Sequence, residues 1–263
     1  MIIEVARKGA AVTWIRNTVD DAISGVNLLR SEGIAAALFH DRFAMCDRLA
    51  IETDAVRRFG KNSGAAERRG KVLVATQVIE QTLDLDFDLI VSDLAPLDLL
   101  LQRAGRLWRH THRKRPISGP QILVLSPDPD GPIVADWLGP QARGTSVVYS
   151  DHGVLWRTAR VITHQSSSKV PDDVRGAIEA VYASDDADIP PALQPARGKA
   201  LGEKMAQRAF ADANLLSVER GYVLSETAWQ NESRVATRLS EGVRTLRLCP
   251  CRGRPPRSLC GRS

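Results

Sequence analysis

An arginine-rich segment near the middle of the chain is the feature best suited to chemistry. It reads QRAGRLWR from Gln102 to Arg109, and its arginines recur every three residues. On a helix, Gln102, Arg106 and Arg109 would share roughly one face and offer two guanidinium forks and an amide to a polyphosphate. An arginine on a transferred phosphoryl group accelerates nucleotide hydrolysis by about 10³–10⁵. A solvated basic helix end is the alternative, and the segment alone favours neither.

A second polar segment follows the apolar run Val72–Ala75. Ligands of open α/β sheets bind at the carboxyl ends of strands, so we expect a hydroxyl from Thr76 and a carboxylate from Asp84 to reach a bound molecule. Asp86 and Asp88 alternate with apolar residues, which favours an edge strand with a solvent-facing side for these two acids. A divalent-metal site built from the carboxylates is a weaker alternative.

The elements that must position these residues alternate between strand and helix in the first half of the chain, which is typical of a parallel sheet flanked by helices. The predicted strands are Ala10–Ile15, Ala35–Phe39, Val72–Ala75, Leu89–Val91 and Ile122–Leu125. The predicted helices are Val19–Arg30, with Asn17 or Thr18 as N-cap, Cys46–Phe59 and Leu97–Trp108. The sequence therefore predicts an α/β fold.

Prolines at 127, 129 and 132 follow the last predicted strand. They predict that the α/β unit ends near residue 127 and comprises residues 1–127. Helix-like runs without a second sheet follow in residues 128–240, at Gly153–Thr163, Asp172–Ala183 and Gly198–Asn214. Residues 241–263 turn abruptly to Arg, Pro, Gly and Cys, and predict a disordered or aberrant basic tail.

The net charge of +5 and the pI near 9.2 invite the interpretation that the partner is nucleic acid. Residues 242–263, however, hold six arginines and no acid; the rest has 30 Lys and Arg against 31 Asp and Glu, a net −1. Net charge therefore gives nucleic-acid binding no support.

Four cysteines and the lack of an apolar run of about 18 residues predict a cytoplasmic protein in a reducing compartment without a membrane partner.

The segment VLVATQVIEQTLDLDFDLIVSDLAPLDLLLQRAGRLWRH resembles the fifth and sixth conserved motifs of superfamily 2 helicases. It is closely similar to the form found in the CRISPR-associated helicase–nuclease of type I systems, which usually has a small hydroxyl residue at the position of Thr82. The upstream WIRNTVDDA and LFHDRFAMCDR resemble the fourth motif of that family and the segment after it. Similarity continues to about residue 246, and it implies a second RecA-like lobe followed by a mainly helical extension that leads to a truncated C-terminal domain.

The resemblance implies roles for individual residues around ATP. Gln102, Arg106 and Arg109 would face its phosphates, with Arg106 and Arg109 as arginine fingers. Asp84 would approach the ribose across the interface between the two lobes.

It also implies a track for single-stranded DNA. Thr76 and Thr18 would contact phosphates, where hydroxyl groups fix register without reading bases. His40 lies in a segment that lines the strand in related helicases, although a capping or packing histidine is an equally good interpretation.

Residues that the implied activity requires are missing from the printed sequence. It contains no G-x-x-x-x-G-K-[ST] and no Asp-Glu dipeptide, so the site for Mg²⁺ and the phosphate cradle would belong to a first lobe. The five histidines show no recurring metal spacing, and His110-x-His112 is better explained as a basic surface turn. Cys249, Cys251 and Cys260 lack a convincing fourth zinc ligand, and a shifted reading frame or a disordered basic end explains the composition of that tail better.

The sequence predicts part of an ATP-dependent single-stranded DNA translocase of CRISPR type I antiviral interference, inactive by itself. The first lobe and nuclease domain would come from a separate chain or be missing, and the CRISPR surveillance complex would be a partner. A non-catalytic nucleic-acid-binding or assembly module and an inactive pseudogene product are the alternatives.

Overall fold

The computed structural model describes residues 1–80, 83–110, 113–165, 172–183 and 185–214, with side chains up to 209. The strands are β1 Val12–Ile15, β2 Ala36–Phe39, β3 Val72–Ala75, β4 Leu89–Asp93 and β5 Gln121–Leu125. The helices are α1 Ile2–Arg7, α2 Val19–Ser31, α3 Met45–Phe59, α4 Ala65–Arg68, α5 Leu97–Ala104, α6 Arg143–Val148, α7 His152–His164, α8 Val174–Val181 and α9 Gln194–Asn214.

All five strands run parallel in the order β2-β3-β1-β4-β5. The alternation of side chains along β3 shows how the sheet builds two cores. Val72 and Val74 pack on one face with residues of α1 and α2, whereas Leu73 and Ala75 pack on the other with Phe59 of α3. Covering both faces explains why the strands are continuously apolar, and the predicted α/β parallel sheet is confirmed.

The chain beyond β5 is helical in the part that the structure describes. The buried residues Leu155 and Trp156 of α7 pack with Leu94, which directly follows β4. Val154 of the same helix packs with Leu97 of α5. The predicted helical extension is confirmed, and it is anchored on the lobe, while the domain limits at 127 and 240 stay predictions.

The predicted end of the arginine-bearing helix is wrong. The helix predicted to reach Trp108 ends at Ala104, because Gly105 caps it and the chain then turns. The polar stretch 60–70 between α3 and β3 contains the short helix α4. Within the described ranges, no helix combines the length and hydropathy that crossing a bilayer requires.

Candidate functional site

The segment after α5 runs alongside the loop that precedes β4. The backbone N–H of Phe87 donates to the carbonyl of Arg106, and the N–H of Trp108 donates back to the carbonyl of Phe87. Trp108 has φ of 49°, a left-handed conformation that is uncommon for a bulky residue, and its indole donates to the carbonyl of Asp88 at 3.0 Å. The chain thereby reverses and brings Arg109 back toward Asp84.

The shared helix face predicted for Gln102, Arg106 and Arg109 is therefore wrong, because only Gln102 lies within α5. The structure nevertheless brings Arg109 and Asp84 into contact, with Nε 2.8 Å from Oδ1. Gln102 is exposed in the last turn of α5. Arg109 therefore reaches Asp84 because the segment after α5 pairs with the loop that precedes β4, and not because of helical spacing.

The guanidinium of Arg106 has an unsatisfied hydrogen-bond donor. Its Nη2 donates to the carbonyl of Glu80 at 3.2 Å, but its Nε is buried without a hydrogen-bond partner. Burial, and then the charge of Arg109, hold the pKa of Arg106 below its ordinary value, while Asp84 and Glu80 act in the opposite direction. An anion beside Arg106 would relieve this penalty, so the orphaned buried donor fits a phosphate ligand.

Arg103, for which the sequence predicts no role, organises the same edge of the sheet. Its guanidinium is fully buried, and its Nε lies 2.7 Å from the Glu80 carboxylate. Nη1 donates to Ser92 Oγ at 2.7 Å, and Nη2 lies 3.5 Å from Asn17 Oδ1 and 3.4 Å from the Tyr149 hydroxyl. One side chain thus links the loops after β1 and β3 to α5 and to the helical extension.

The prediction of a solvent-facing edge strand for Asp86 and Asp88 is wrong, since both are buried. Arg115 contacts both carboxylates, at 2.9 Å from Asp86 and 2.8 Å from Asp88. Arg68 also contacts both, and Arg113 Nε lies 2.9 Å from Asp86. Two carboxylates among three guanidiniums hold the Asp84 loop against the segment after Arg109. Across the described ranges, no group of three or more potential metal ligands lies together.

The residues predicted to contact DNA follow the carboxyl ends of three neighbouring strands. Thr18 caps α2, as predicted, because its Oγ1 accepts from the N–H of Asp21 at 3.1 Å and donates to the Asp21 carboxylate at 2.6 Å. Thr76 is buried directly after β3, where its N–H donates to the carbonyl of Phe39. Their contacts to DNA stay predictions.

His40 follows β2 and has the packing and capping contacts of the alternative interpretation. Its Nδ1 accepts from the N–H of Arg42 at 3.1 Å, and its ring stacks on Phe43 with centroids 4.1 Å apart. Burial holds the pKa of His40 below its ordinary value, against the charge of Asp41. The contact of His40 to DNA stays a prediction.

The helical extension reaches this edge through α6. Thr145 Oγ1 accepts from Asn17 Nδ2 at 2.8 Å. Gly144 lies against the N-cap of α2, where a Cβ would come within 2.4 Å of the Asp21 carboxylate and 2.7 Å of Thr18 Cγ2. The start of α2 is therefore covered by the extension. The predictions for Thr82, His112 and the tail cysteines concern residues outside the described ranges.

Comparisons with known proteins agree on one family. The family description "CRISPR-associated nuclease/helicase Cas3, C-terminal" matches residues 8–112. The Escherichia coli K12 CRISPR-associated endonuclease/helicase Cas3 is 36% identical over 195 residues, which are 72% of this chain and 20% of that protein. The Thermus thermophilus protein of the same name is 34% identical over 194 residues, 72% of this chain and 20% of that protein.

A solved structure, T. fusca Cas3 with ADP, aligns with a TM-score of 0.67 at 35% identity and covers 80% of this chain and 24% of that chain. The parallel sheet with its helical extension is a RecA-like helicase lobe. The chain belongs to the family of the CRISPR-associated nuclease–helicase Cas3. It spans about one fifth of the length of the curated relatives it matches.

Proposed function

We propose that the chain supplies the second helicase lobe of an ATP-dependent single-stranded DNA translocase that acts in CRISPR type I antiviral interference. The observation that carries this proposal is the buried Nε of Arg106, which has no partner and lies in a segment that matches the Cas3 C-terminal family. A family member with an unsatisfied arginine in this motif is suited to a partner lobe that presents a phosphate.

Four residues would hold ATP. Arg106 and Arg109 would contact its phosphates, with Gln102 beside them, and Asp84 would approach the ribose. Arg109 is already paired with Asp84, so binding of the nucleotide would exchange that contact for one to phosphate. ATP supplies the phosphoanhydride bond whose cleavage drives movement, and the guanidiniums would stabilise the charge that develops on the phosphoryl oxygens.

Thr18, Thr76 and His40 would contribute to the DNA track, because they lie at the ends of three adjacent strands. The hydroxyl of Thr18 already caps α2, so its contact with a DNA phosphate would exchange that hydrogen bond for one to the phosphate.

The remaining parts of the activity need residues that the printed sequence lacks. A first lobe with a phosphate-binding loop would hold Mg²⁺, and a nuclease domain would cut DNA. A chain in a structure titled "CRISPR RNA-guided surveillance complex, pre-nicking" aligns with a TM-score of 0.63 at 34% identity and covers 79% of this chain and 25% of that one. This similarity supports a surveillance complex as partner.

Reconstitution tests the proposal. The full chain is mixed with a separately supplied first lobe and nuclease domain of a relative, and DNA-stimulated ATP hydrolysis is measured. Wild type is expected to restore hydrolysis, and Arg106→Ala to reduce it by about 10³-fold or more. Arg175→Ala is the matched control, because Arg175 is exposed on α8. Equal activity of wild type and Arg106→Ala above background would show that the arginine-finger assignment is wrong.

A further inference from the structure

A cavity of about 410 Å³ lies at the edge of the sheet where the strands begin. The turns that lead into β1, β3, β4 and β5 form its walls, whereas Thr18, Thr76 and the Arg106 segment take no part in its lining. Its cationic side chains are Lys8, Arg68, Arg69, Arg113, Lys114 and Arg115. Asp88 is the acid that lines it.

The cations at the base of the cavity are partly neutralised. Arg68 and Arg115 contact Asp86 and Asp88. Arg113 Nε lies 2.9 Å from Asp86 but outside hydrogen-bond geometry, so this buried donor has no hydrogen-bond partner. Burial, followed by the charge of Arg68, holds the pKa of Arg113 below its ordinary value. Three guanidiniums share two carboxylates, and one positive charge is left over.

The rim of the cavity adds exposed cations to those of the base. Arg69 and Lys114 are exposed and have no ion-pair partner among the described residues. Lys8 is paired with the exposed Glu4 at 2.8 Å, a contact that a stronger anion can displace. The cavity is thus electropositive, with two cations at its rim that are unpaired within the described ranges and one surplus positive charge at its base.

The local backbone holds Arg69 at the rim. Gly9 has φ of +97°, which an L side chain rarely adopts. A Cβ at Gly9 would lie 3.3 Å from Arg69 Cγ. The absence of a side chain at Gly9 therefore leaves room for Arg69 to pack against the backbone there. A guanidinium that is supported in this way loses less conformational entropy when it binds.

We infer that this cavity binds a phosphate group, carried by a nucleic-acid strand or free in solution, at a site separate from the proposed nucleotide and DNA contacts. A phosphate accepts hydrogen bonds through several oxygens and matches the planar fork of arginine. The rim cations Arg69 and Lys114, together with the surplus charge of the base, suit such a concentrated charge better than the single charges of an acidic peptide. The inference does not depend on hydrolysis of ATP.

Lysine footprinting on the full chain tests this inference. The protein is acetylated with and without inorganic phosphate, or with a single-stranded oligonucleotide lacking terminal phosphates, and modification is read by mass spectrometry. We expect protection of Lys8 and Lys114 by at least threefold, with Lys204 on α9 unchanged. Protection by both ligands identifies the phosphodiester backbone, and protection by inorganic phosphate alone identifies a small free anion. The inference is wrong if neither ligand protects, or if polyglutamate protects equally well.

A pair of double variants separates a site from general charge. Arg69→Ala with Lys114→Ala should weaken binding of the protecting ligand about tenfold. If that ligand is DNA, the slope of log affinity against log salt should also fall by about 1.4, since each single-strand contact contributes about 0.7. Lys204→Ala with Arg208→Ala removes the same charge from exposed positions of α9 and should change binding less than twofold. Equal losses in the two pairs would overturn the inference. A failure of the ATPase reconstitution would leave this result unaffected.

Discussion

Arg103 and Glu80 form a buried ion pair in which Nε lies 2.7 Å from Oε1. The pair joins α5 to the segment after β3, two parts of the chain that carry proposed nucleotide-binding residues. Because the Arg103 guanidinium also reaches Ser92 and Asn17, it connects the loops after β1 and β3 to β4 and α5 through one buried side chain. The neighbouring Arg106 and Arg109 therefore extend from a rigid base.

Arg103→Leu is expected to reduce the free energy of unfolding by about 3–5 kcal/mol, because it leaves Glu80 as an uncompensated buried charge. Chemical denaturation of the full chain measures this loss. Arg175→Ala is the control: Arg175 is exposed and contacts Glu179 one helical turn away, so its loss should cost less than about 0.5 kcal/mol. A loss below about 1 kcal/mol for Arg103→Leu would contradict the role given to Arg103.

Asp86→Asn tests the buried ion-pair cluster that Asp86 and Asp88 form with three arginines. It leaves Arg68, Arg113 and Arg115 with one carboxylate, so the free energy of unfolding should fall by about 3–5 kcal/mol. Adding Arg115→Gln should recover part of that loss, with a coupling energy of about 0.5–3 kcal/mol in a double-mutant cycle by urea denaturation. Strictly additive losses would show that the contacts at 2.9 Å carry no mutual stabilisation.

Gly144→Ala should destabilise the docking of α6 on α2. The new Cβ would come within 2.7 Å of Thr18 Cγ2, whose side chain is held in place by its cap hydrogen bond, and relief of such a clash typically costs about 1–3 kcal/mol. Gly176→Ala on α8 has no atom within 4 Å of its Cβ and should stabilise by about 0.5–1 kcal/mol. Thermal unfolding of both variants measures these opposite shifts, and shifts of the same sign would be inconsistent with the packing described.

Tyr182 predicts a dependence of stability on alkaline pH. Its hydroxyl donates to Asp98 at 2.5 Å, and burial and then that contact hold its pKa well above the ordinary value. The folded state therefore keeps a proton that the unfolded state loses above about pH 10, so this contribution to stability is intact below pH 10 and falls as pH rises further.

Tyr182→Phe removes the titrating group together with the hydrogen bond. At pH 7 it should cost about 0.5 kcal/mol, the low end for a hydrogen bond, because Tyr182 is 43% exposed. Between pH 9.5 and 11 its stability should fall less steeply than that of wild type. Urea denaturation across this range measures both slopes. Identical slopes would mean that Tyr182 titrates alike in the folded and unfolded states.

Most of the strands were predictable because they are apolar, and most of the flanking helices because their apolar residues recur with the helical period. Val72–Ala75 is predicted to the residue, since burial on both faces leaves a run of apolar side chains bounded by polar ones. The short helix α1 lacks such a boundary and was not predicted. The end of α5 was overestimated because periodic arginines resemble a helix, although Gly105 ends it.

The site was predictable only where a motif carried it. Arg103 continues the spacing of Leu97 and Leu100, the buried positions of α5, and this placement of a charge in an apolar stripe was the available signal. The burial of Asp86 had no local signal, because its partners Arg68 and Arg115 come from distant parts of the sequence.

Arg106 should separate activity from stability, in contrast to Arg103 three residues before it. Arg106→Leu removes a guanidinium whose Nε is buried without a partner and whose Nη2 makes one backbone contact at 3.2 Å. Because the penalty of the orphaned donor offsets that contact, the free energy of unfolding should change by less than about 1 kcal/mol. DNA-stimulated ATP hydrolysis of the reconstituted enzyme should nevertheless fall by about 10³-fold or more. Denaturation and hydrolysis measured on the same preparation test this, and a loss of stability above 2 kcal/mol would mean that Arg106 is a structural residue.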